Sequence, residues 1–316
     1  MRSPRRRLRR ASLAGPAVLL LLLVAAAACG ALAQEATQAA TEAPSAVQIR
    51  VVGGLAGVSQ YVDQEAPFWT RRVPELTGGL VRAEIAPFDR SGIRGQEMLQ
   101  LLRLGVVPFG TVLLGLAAAD EPELNALDLP LVNPDMAALR RSAALWRPRM
   151  AALLRERYGV ELLALYTYPA QVVFCRQPFA SLSDLAGRGV RTASVAQSEL
   201  IAALGGVPVV TPFAEVVAAI RNGVVQCAIT GTLSGNAIGL HQVTSHVSRI
   251  AVDWGVSFFG ANLAAWAALP PAARRAIQGD CGSWRRRSGR RRNASRRRGW
   301  PATPAGPAAR RAAPAA

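Results

Sequence analysis

The stretch SLSDLAGRGVRT at residues 181–192 decides the fold class, because a short helical turn with a glycine stop leads directly into a strand. A helix follows that we predict to be capped by Thr211, opened by Pro212 and ended by the Asn-Gly pair at 222–223. Residues 224–229 then return to an apolar strand. Short apolar strands alternating with helices predict a parallel sheet covered on both faces.

The same alternation runs through the preceding part of the chain. We predict an α/β fold of two hinged lobes with a ligand cleft between them, of the periplasmic-binding-protein type, because roughly 245 residues between the two ends suffice for two domains. Lobe I is predicted to comprise 47–168 plus 250–278, and lobe II 169–249. The predicted strands are 47–52, 80–85, 106–114 and 160–168, and the predicted helices are 64–76, 97–104, 136–158 and 197–204.

The first 33 residues are typical of an export signal. An arginine cluster precedes an apolar run at 13–30, and Ala31-Leu32-Ala33 fits a signal-peptidase site. An uncleaved membrane anchor and a lipoprotein site at 26–29 remain as alternatives. Residues 34–46 are polar without apolar periodicity, which predicts a flexible leader. Export predicts a periplasmic location.

The net charge of +17 suggests a nucleic-acid-binding protein, but the charge is concentrated at the two ends of the chain. Residues 1–33 hold six arginines and no acid, while residues 279–316 hold eleven arginines and one acid. The remaining segment, 34–278, has 20 arginines against 19 acids. All 37 basic residues are arginine, which is typical of a GC-rich coding sequence. The charge therefore predicts no nucleic-acid partner for the central segment.

From Gly279 onward the chain turns into arginine runs followed by proline and alanine. We predict a disordered basic tail over 279–316, read as an out-of-frame translation. The competing interpretation is a genuine tail that binds nucleic acid or membrane phosphates.

Two of the four cysteines, Cys175 and Cys227, lie in the segment expected to fold. An oxidising compartment allows them to form a disulfide. Two buried free thiols are the alternative, since free cysteine is among the most buried residue types.

Nothing in the sequence indicates an enzyme. The only histidines, His241 and His246, lie in no metal-ligand or nucleophile motif, and the chain has no G-x-S-x-G, H-E-x-x-H, P-loop or C-x-x-C motif. Asp184 and Glu215 occupy predicted helix starts, where charge and capping explain them. We therefore expect no catalytic residue, no metal and no cofactor.

Several segments, in their order and spacing, resemble the extracytoplasmic solute receptors of tripartite ATP-independent periplasmic (TRAP) transporters, the family of dicarboxylate and sialic-acid receptors. The resemblance covers roughly residues 47–278 and rests on the order of the segments, since each is weak alone. It implies capture of a small organic acid for a membrane permease. The segments are Thr77-Gly78-Gly79, 96–110, Leu127-Asp128-Leu129-Pro130, 183–191, 212–225 and 262–269.

The resemblance implies that Arg191 holds the carboxylate of the ligand. The chemistry of the side chain agrees, because a guanidinium offers two parallel hydrogen bonds that fit a carboxylate. Arg191 also follows Val190 at the end of a predicted strand, where ligands bind in such sheets. A structural salt bridge is the alternative role.

By the same resemblance Phe213 lines the cleft, with a hydrophobic contact at the helix start as the equal alternative. Gln171 stands where sialic-acid receptors have a second arginine, and Thr230 stands where they have an asparagine. These differences disfavour sialic acid and leave a monocarboxylate or a dicarboxylate. Further candidates for polar contacts are Ser194, Thr232 and Ser234, and weaker candidates, more typical of loop or core residues, are Tyr168 and Gln60.

The predicted mechanism is closure of the two lobes over the ligand, about hinges near Tyr168 and Ile250. The closed state then presents its surface to the TRAP permease. The sequence is compatible with a monomer. The alternative function is a periplasmic sensor that reports the ligand to a membrane kinase.

Overall fold

The computed structural model describes residues 45–281. Two five-stranded sheets are present in this part of the chain, one in each lobe. Sheet I has the strand order β2-β1-β3-β10-β4, and sheet II has the order β7-β6-β8-β5-β9. The strands are β1 Val47–Gly53, β2 Val81–Pro87, β3 Phe109–Leu113, β4 Val160–Thr167, β5 Gln171–Cys175, β6 Gly189–Thr192, β7 Val207–Val210, β8 Cys227–Gly231, β9 His246–Val247 and β10 Val256–Asn262.

Helices cover these sheets. The α-helices are α1 Val73–Leu76, α2 Met98–Arg103, α3 Leu114–Ala117, α4 Met136–Tyr158, α5 Val195–Ala203, α6 Val216–Arg221, α7 Thr232–Ala237, α8 Leu263–Ala267 and α9 271–281. Shorter helical turns lie at Tyr61–Glu65, Phe68–Arg72, Phe88–Arg90, Gly95–Glu97, Pro122–Leu127, Leu182–Leu185, Phe213–Glu215 and Leu240–Gln242. No helix within 45–281 is both long enough and apolar enough to span a bilayer.

The prediction of purely parallel sheets is wrong, because both sheets are mixed. Strand β10 pairs antiparallel with β3 and β4, and β5 pairs antiparallel with β8. The antiparallel strands lie where the chain passes from one sheet to the other. Strand β5 follows the first passage, at 168–170, and β10 follows the return. Because both passages are short, β5 and β10 run antiparallel to the neighbouring strands of the sheets that they enter. The lobe limits at 169 and 250 stay a prediction.

Each sheet buries apolar side chains on both faces. In β10, the neighbours Phe258 and Phe259 belong to different hydrophobic clusters, and in β5 Val172 and Val173 do so as well. Adjacent residues of a strand point to opposite faces, so both sheets lie between two apolar layers. Each fully buried large side chain contributes about 1.5–3 kcal/mol. These layers hold the strand ends in place.

Local signals set several boundaries. Helix α4 begins after Asp135, whose side chain accepts a 2.7 Å hydrogen bond from the Ala138 amide, and ends at Gly159, whose φ of 60° is left-handed. This helix has the bounds predicted from the sequence. Thr211, by contrast, caps no helix, because its hydroxyl faces the Val209 carbonyl at 3.5 Å.

Other predicted bounds also differ from the structure, and two of them differ most clearly. The first helical segment starts at residue 59 and not at 64, and the predicted strand 106–114 narrows to β3. Gly105, with a φ of 73°, turns the chain before β3, so Val106 remains exposed outside the sheet. The signal peptide, the leader up to residue 44 and the tail from 282 lie outside the described residues.

Candidate functional site

Polar residues from three adjacent strands meet at one edge of sheet II. Strands β6 and β8 are parallel, so Arg191 and Thr230 lie near their carboxyl ends on the same side. Strand β5 is antiparallel to β8, and its first residue, Gln171, pairs with Gly231. The sheet thus brings Arg191, Thr230 and Gln171 to the edge where ligands bind in α/β folds.

Arg191 is buried, with only 4% of its surface exposed. Its Nε atom donates a 2.9 Å hydrogen bond to the Thr211 carbonyl, and its Nη1 atom donates a 2.9 Å bond to the Ile229 carbonyl. Burial lowers the pKa of Arg191 to about 10, so the guanidinium stays charged at neutral pH. Two backbone carbonyls therefore fix the orientation of a group that is charged at neutral pH.

No acidic side chain of residues 45–281 forms an ion pair with Arg191. The structure therefore gives no support to the alternative of a structural salt bridge within these residues. A guanidinium has five N–H groups, and the two carbonyl bonds occupy two of them. A buried charge is costly unless it is paired, so the arrangement suits an incoming anion.

The side chains of Gln171 and Ser234 approach each other around Gly231. A Cβ atom at Gly231 would lie 3.0 Å from Nε2 of Gln171 and 3.1 Å from Oγ of Ser234. Gln171 donates a 2.8 Å bond to the Pro169 carbonyl, whereas the buried hydroxyl of Ser234 has no hydrogen-bond partner within the described residues. Ser234 is therefore a donor or acceptor available to a ligand.

The other predicted polar residues have structural contacts of their own. Ser194 caps α5, because its Oγ accepts a 3.2 Å bond from the Gln197 amide. Thr230 is buried within β8, and Thr232 is the first residue of α7. Gln60 is buried in the first helical segment, where its Oε1 accepts a 3.2 Å bond from Ser59.

Two aromatic candidates connect with the core of lobe I. Phe213 lies in the turn of lobe II just after Thr211 and packs against the hydrophobic cluster around Trp69 and Phe109. Tyr168 is buried in the same cluster, and burial, followed by the charge of Glu65, raises its pKa well above 10. Phe213 thus makes an apolar contact between the two lobes. It lies two residues after Thr211, whose carbonyl accepts a hydrogen bond from Arg191.

A buried carboxyl network lies beneath the carboxyl ends of sheet I. Glu65 accepts hydrogen bonds from the Gly54 amide at 2.7 Å, from Tyr166 at 2.7 Å and from Thr111 at 3.1 Å. Burial raises its pKa, and the three hydrogen bonds oppose that rise. Glu65 ties β1, β3 and β4 together, and neither spacing nor composition identifies this role in advance.

A buried pair of acids, which no sequence pattern predicted, lies between the two lobes. Asp128 accepts hydrogen bonds from the amides of Trp254 at 2.8 Å and Val256 at 2.7 Å. Its neighbour Asp253 accepts a 2.8 Å bond from Gln197 of α5. The segment containing Asp128 carried the family resemblance, but nothing in it indicated a partner 125 residues away.

Cys175 and Cys227 form a disulfide within lobe II. They are directly opposite each other in the antiparallel pair of β5 and β8, with Cα atoms 4.1 Å apart. The bond fixes β5 against β8 at the end opposite to Gln171 and Gly231. No group of three or more histidine, cysteine or acidic side chains within 45–281 is arranged to hold a metal ion.

The family model of DctP, the bacterial extracellular solute-binding proteins of family 7, matches residues 52–297. The chain belongs to this family. The resemblance to TRAP receptors inferred from the ordered segments is thereby confirmed. The family consists of solute-binding proteins and is not a class of enzymes.

Solved structures of TRAP-type receptors share the fold of this solute-binding protein. DctP7 of Bordetella pertussis, which binds pyroglutamic acid, is 23% identical, with 80% of this chain and 83% of that chain covered and a TM-score of 0.73. A receptor of Desulfovibrio salexigens with bound orotic acid is 16% identical, with 80% and 81% covered and a TM-score of 0.72. A Pseudomonas aeruginosa receptor with bound L-malate is 17% identical, with 80% and 88% covered and a TM-score of 0.71. These similarities confirm the two-lobed fold.

The expected break at Gly279 does not occur at that residue. Helix α9 continues through residue 281, Asp280 pairs with Arg72 at 3.3 Å, and Cys281 is buried. The family match extends further, to residue 297. The helix through residue 281 fits the sequence pattern, because buried residues recur every four positions on one face, at Ala273, Ile277 and Cys281.

Proposed function

We propose that this protein is the periplasmic receptor of a TRAP transporter and that Arg191 binds the carboxylate of a small organic acid. The observation that carries the proposal is the buried guanidinium of Arg191, held by two backbone carbonyls and lacking an acidic partner within residues 45–281. A ligand carboxylate supplies the missing negative charge and accepts two parallel hydrogen bonds.

The surrounding residues fit a small, singly clamped acid. Gln171 and Ser234 offer neutral hydrogen-bonding groups at the same strand edge, and Phe213 offers an apolar surface that reaches the other lobe. Solute receptors with this fold bind pyroglutamate, orotate and malate in their own structures. We infer a monocarboxylate or a compact dicarboxylate, delivered to the membrane permease after lobe closure. No observation favours the alternative sensor role.

Thermal-shift measurements with a panel of organic acids test this proposal. The panel contains pyroglutamate, malate, orotate and glucuronate, and we expect at least one acid to raise the melting temperature. In Arg191→Met the dissociation constant of that acid should rise about thirtyfold or more, as for other buried charge pairs that lose one partner.

Arg188→Met is the matched control, because Arg188 is a half-buried arginine of the same segment that also donates to two carbonyls, those of Gln177 and Pro178. The control should bind the acid as the wild type does. Unchanged affinity in Arg191→Met, or an absence of binding across the whole panel, would contradict the proposal.

A further inference from the structure

A cavity of about 340 Å³ lies in lobe I between α8, α9 and the chain around the end of α4. Pro271, Arg274, Arg275 and Gln278 of α9 line it, and these residues follow the i, i+3, i+4, i+7 spacing of a single helix face. This volume falls at the lower end of the range for small-molecule sites. We call this cavity the α9 pocket.

The wall of the α9 pocket opposite to α9 is apolar, and another side of the pocket is charged. Leu263 and Trp266 of α8 supply the apolar wall. Arg155 and Glu161 line the pocket at the junction of α4 and β4, and they form an ion pair with each other. The charge of Arg155 is therefore already balanced, which leaves Arg274 and Arg275 to set the charge of the pocket.

Arg274 and Arg275 form no ion pair and no side-chain hydrogen bond with any residue that the structure describes. The Nε atom of Arg274 is buried and unpartnered. A buried donor without an acceptor is unfavourable, and two adjacent cations repel each other. An oxyanion in the pocket would balance the charge of the two arginines.

Two arginines of the neighbouring helix α4 have acidic partners. On α4, Arg149 pairs with Glu123, and Arg157 pairs with Glu121 and Glu123. Among the described residues that line the α9 pocket, Glu161 is the one acid, and it already pairs with Arg155. With three arginines and one glutamate, the lining carries a net charge of +2.

We propose that the α9 pocket binds the phosphate group of a small phosphate monoester, at a site separate from the Arg191 cleft. A phosphate monoester carries a charge near −2 at neutral pH and has three oxygens that accept hydrogen bonds from arginine. The net charge of the lining matches this dianion better than a single carboxylate. The apolar wall at Leu263 and Trp266 accommodates a small organic substituent.

Isothermal titration of the full chain with phenyl phosphate at constant ionic strength tests the site. We expect saturable binding that weakens at least tenfold in the double variant Arg274→Gln/Arg275→Gln. The matched control is Arg140→Gln/Arg141→Gln, which removes the same charge from an adjacent, exposed arginine pair on α4. The control and Arg191→Met should retain wild-type affinity for phenyl phosphate.

Several results would overturn the proposal. Equal weakening in both double variants would indicate general electrostatic attraction, and an unchanged affinity in the α9 variant would place binding elsewhere, such as the arginine-rich tail. Benzoate binding as tightly as phenyl phosphate would exclude selection for the dianion. Association with phosphatidylglycerol vesicles that depends on Arg274 and Arg275, without binding of phenyl phosphate, would assign the site to a lipid headgroup instead.

Discussion

Nε2 of Gln197 donates a 2.8 Å hydrogen bond to Oδ2 of Asp253, and this bond connects the two lobes. Gln197 belongs to α5 of lobe II, while Asp253 lies in the segment that returns to β10 of sheet I. The other oxygen of Asp253, Oδ1, is buried without a hydrogen-bond partner in the described residues. The passage between the lobes therefore contains an acid that is poorly suited to carry a charge.

The first prediction concerns the pH dependence of stability. Burial, followed by the neighbouring Asp128, raises the pKa of Asp253 well above 3.8, and burial raises the pKa of Asp128 to about 6. A carboxyl group with a raised pKa binds more protons in the folded state than in the unfolded state. Its favourable contribution is complete below the unfolded value near 3.8 and is lost as the pH rises through the folded pKa.

Asp253→Asn should therefore increase the free energy of unfolding at pH 7, by about 1–3 kcal/mol, and much less at pH 4. Asparagine mimics the protonated acid and keeps an acceptor for Gln197. Urea unfolding at pH 4, 5, 6 and 7 measures the difference. Asp63→Asn, at an exposed position, is the control and should show no such trend. An equal effect of Asp253→Asn at pH 4 and pH 7 would contradict the raised pKa.

The second prediction concerns the space around Gly231. Its φ of −65° and ψ of 138° suit any residue, so alanine there introduces no backbone strain. The new methyl group would press on Gln171 and Ser234 at 3.0–3.1 Å. Gly231→Ala should weaken binding of the organic acid about threefold to tenfold, measured by titration calorimetry. Gly279→Ala, with no neighbour within 4 Å, should leave the affinity unchanged. Full affinity in Gly231→Ala would argue against a role for this strand edge.

The third prediction concerns the contact between the lobes at Phe213. Phe213→Ala removes apolar surface that packs against the cluster of lobe I, so the closed state should lose stability and the ligand affinity should fall by about tenfold. Phe179 is the control, because it is also partly buried but packs within lobe II. Phe179→Ala should lower the melting temperature of the free protein and leave the affinity nearly unchanged. Equal losses of affinity in the two variants would indicate a general packing defect.

The fourth prediction concerns the disulfide. Cys175 and Cys227 are separated by 52 residues, and removing a native disulfide typically costs about 2–5 kcal/mol. The double variant Cys175→Ala/Cys227→Ala should be less stable to urea by that amount and insensitive to reductant. Cys281→Ala is the control, because Cys281 is buried but lies outside the disulfide. The stability of this variant should still fall when reductant is added. A wild-type protein whose stability does not respond to complete reduction would contradict this prediction.

Local sequence signals explain the elements that were predicted well. Helix α4 is bounded by a capping aspartate and by Gly159, so both of its ends are encoded within a few residues. Strand β6 places Arg191 at its carboxyl end because a glycine stop and an apolar residue precede it. Periodicity gave no indication of β10, because a strand buried on both faces does not alternate.

By itself, the sequence determined the α/β class, the family and Arg191 as the leading candidate for the ligand site. These follow from short-range patterns and from motifs in a fixed order. Only the tertiary structure decided that Arg191 lacks an acidic partner within the described residues, that Phe213 reaches the core of the other lobe and that Asp128 lies beside Asp253. These relationships join residues far apart in the chain, and their energies arise from burial and charge, which depend on all the surrounding elements.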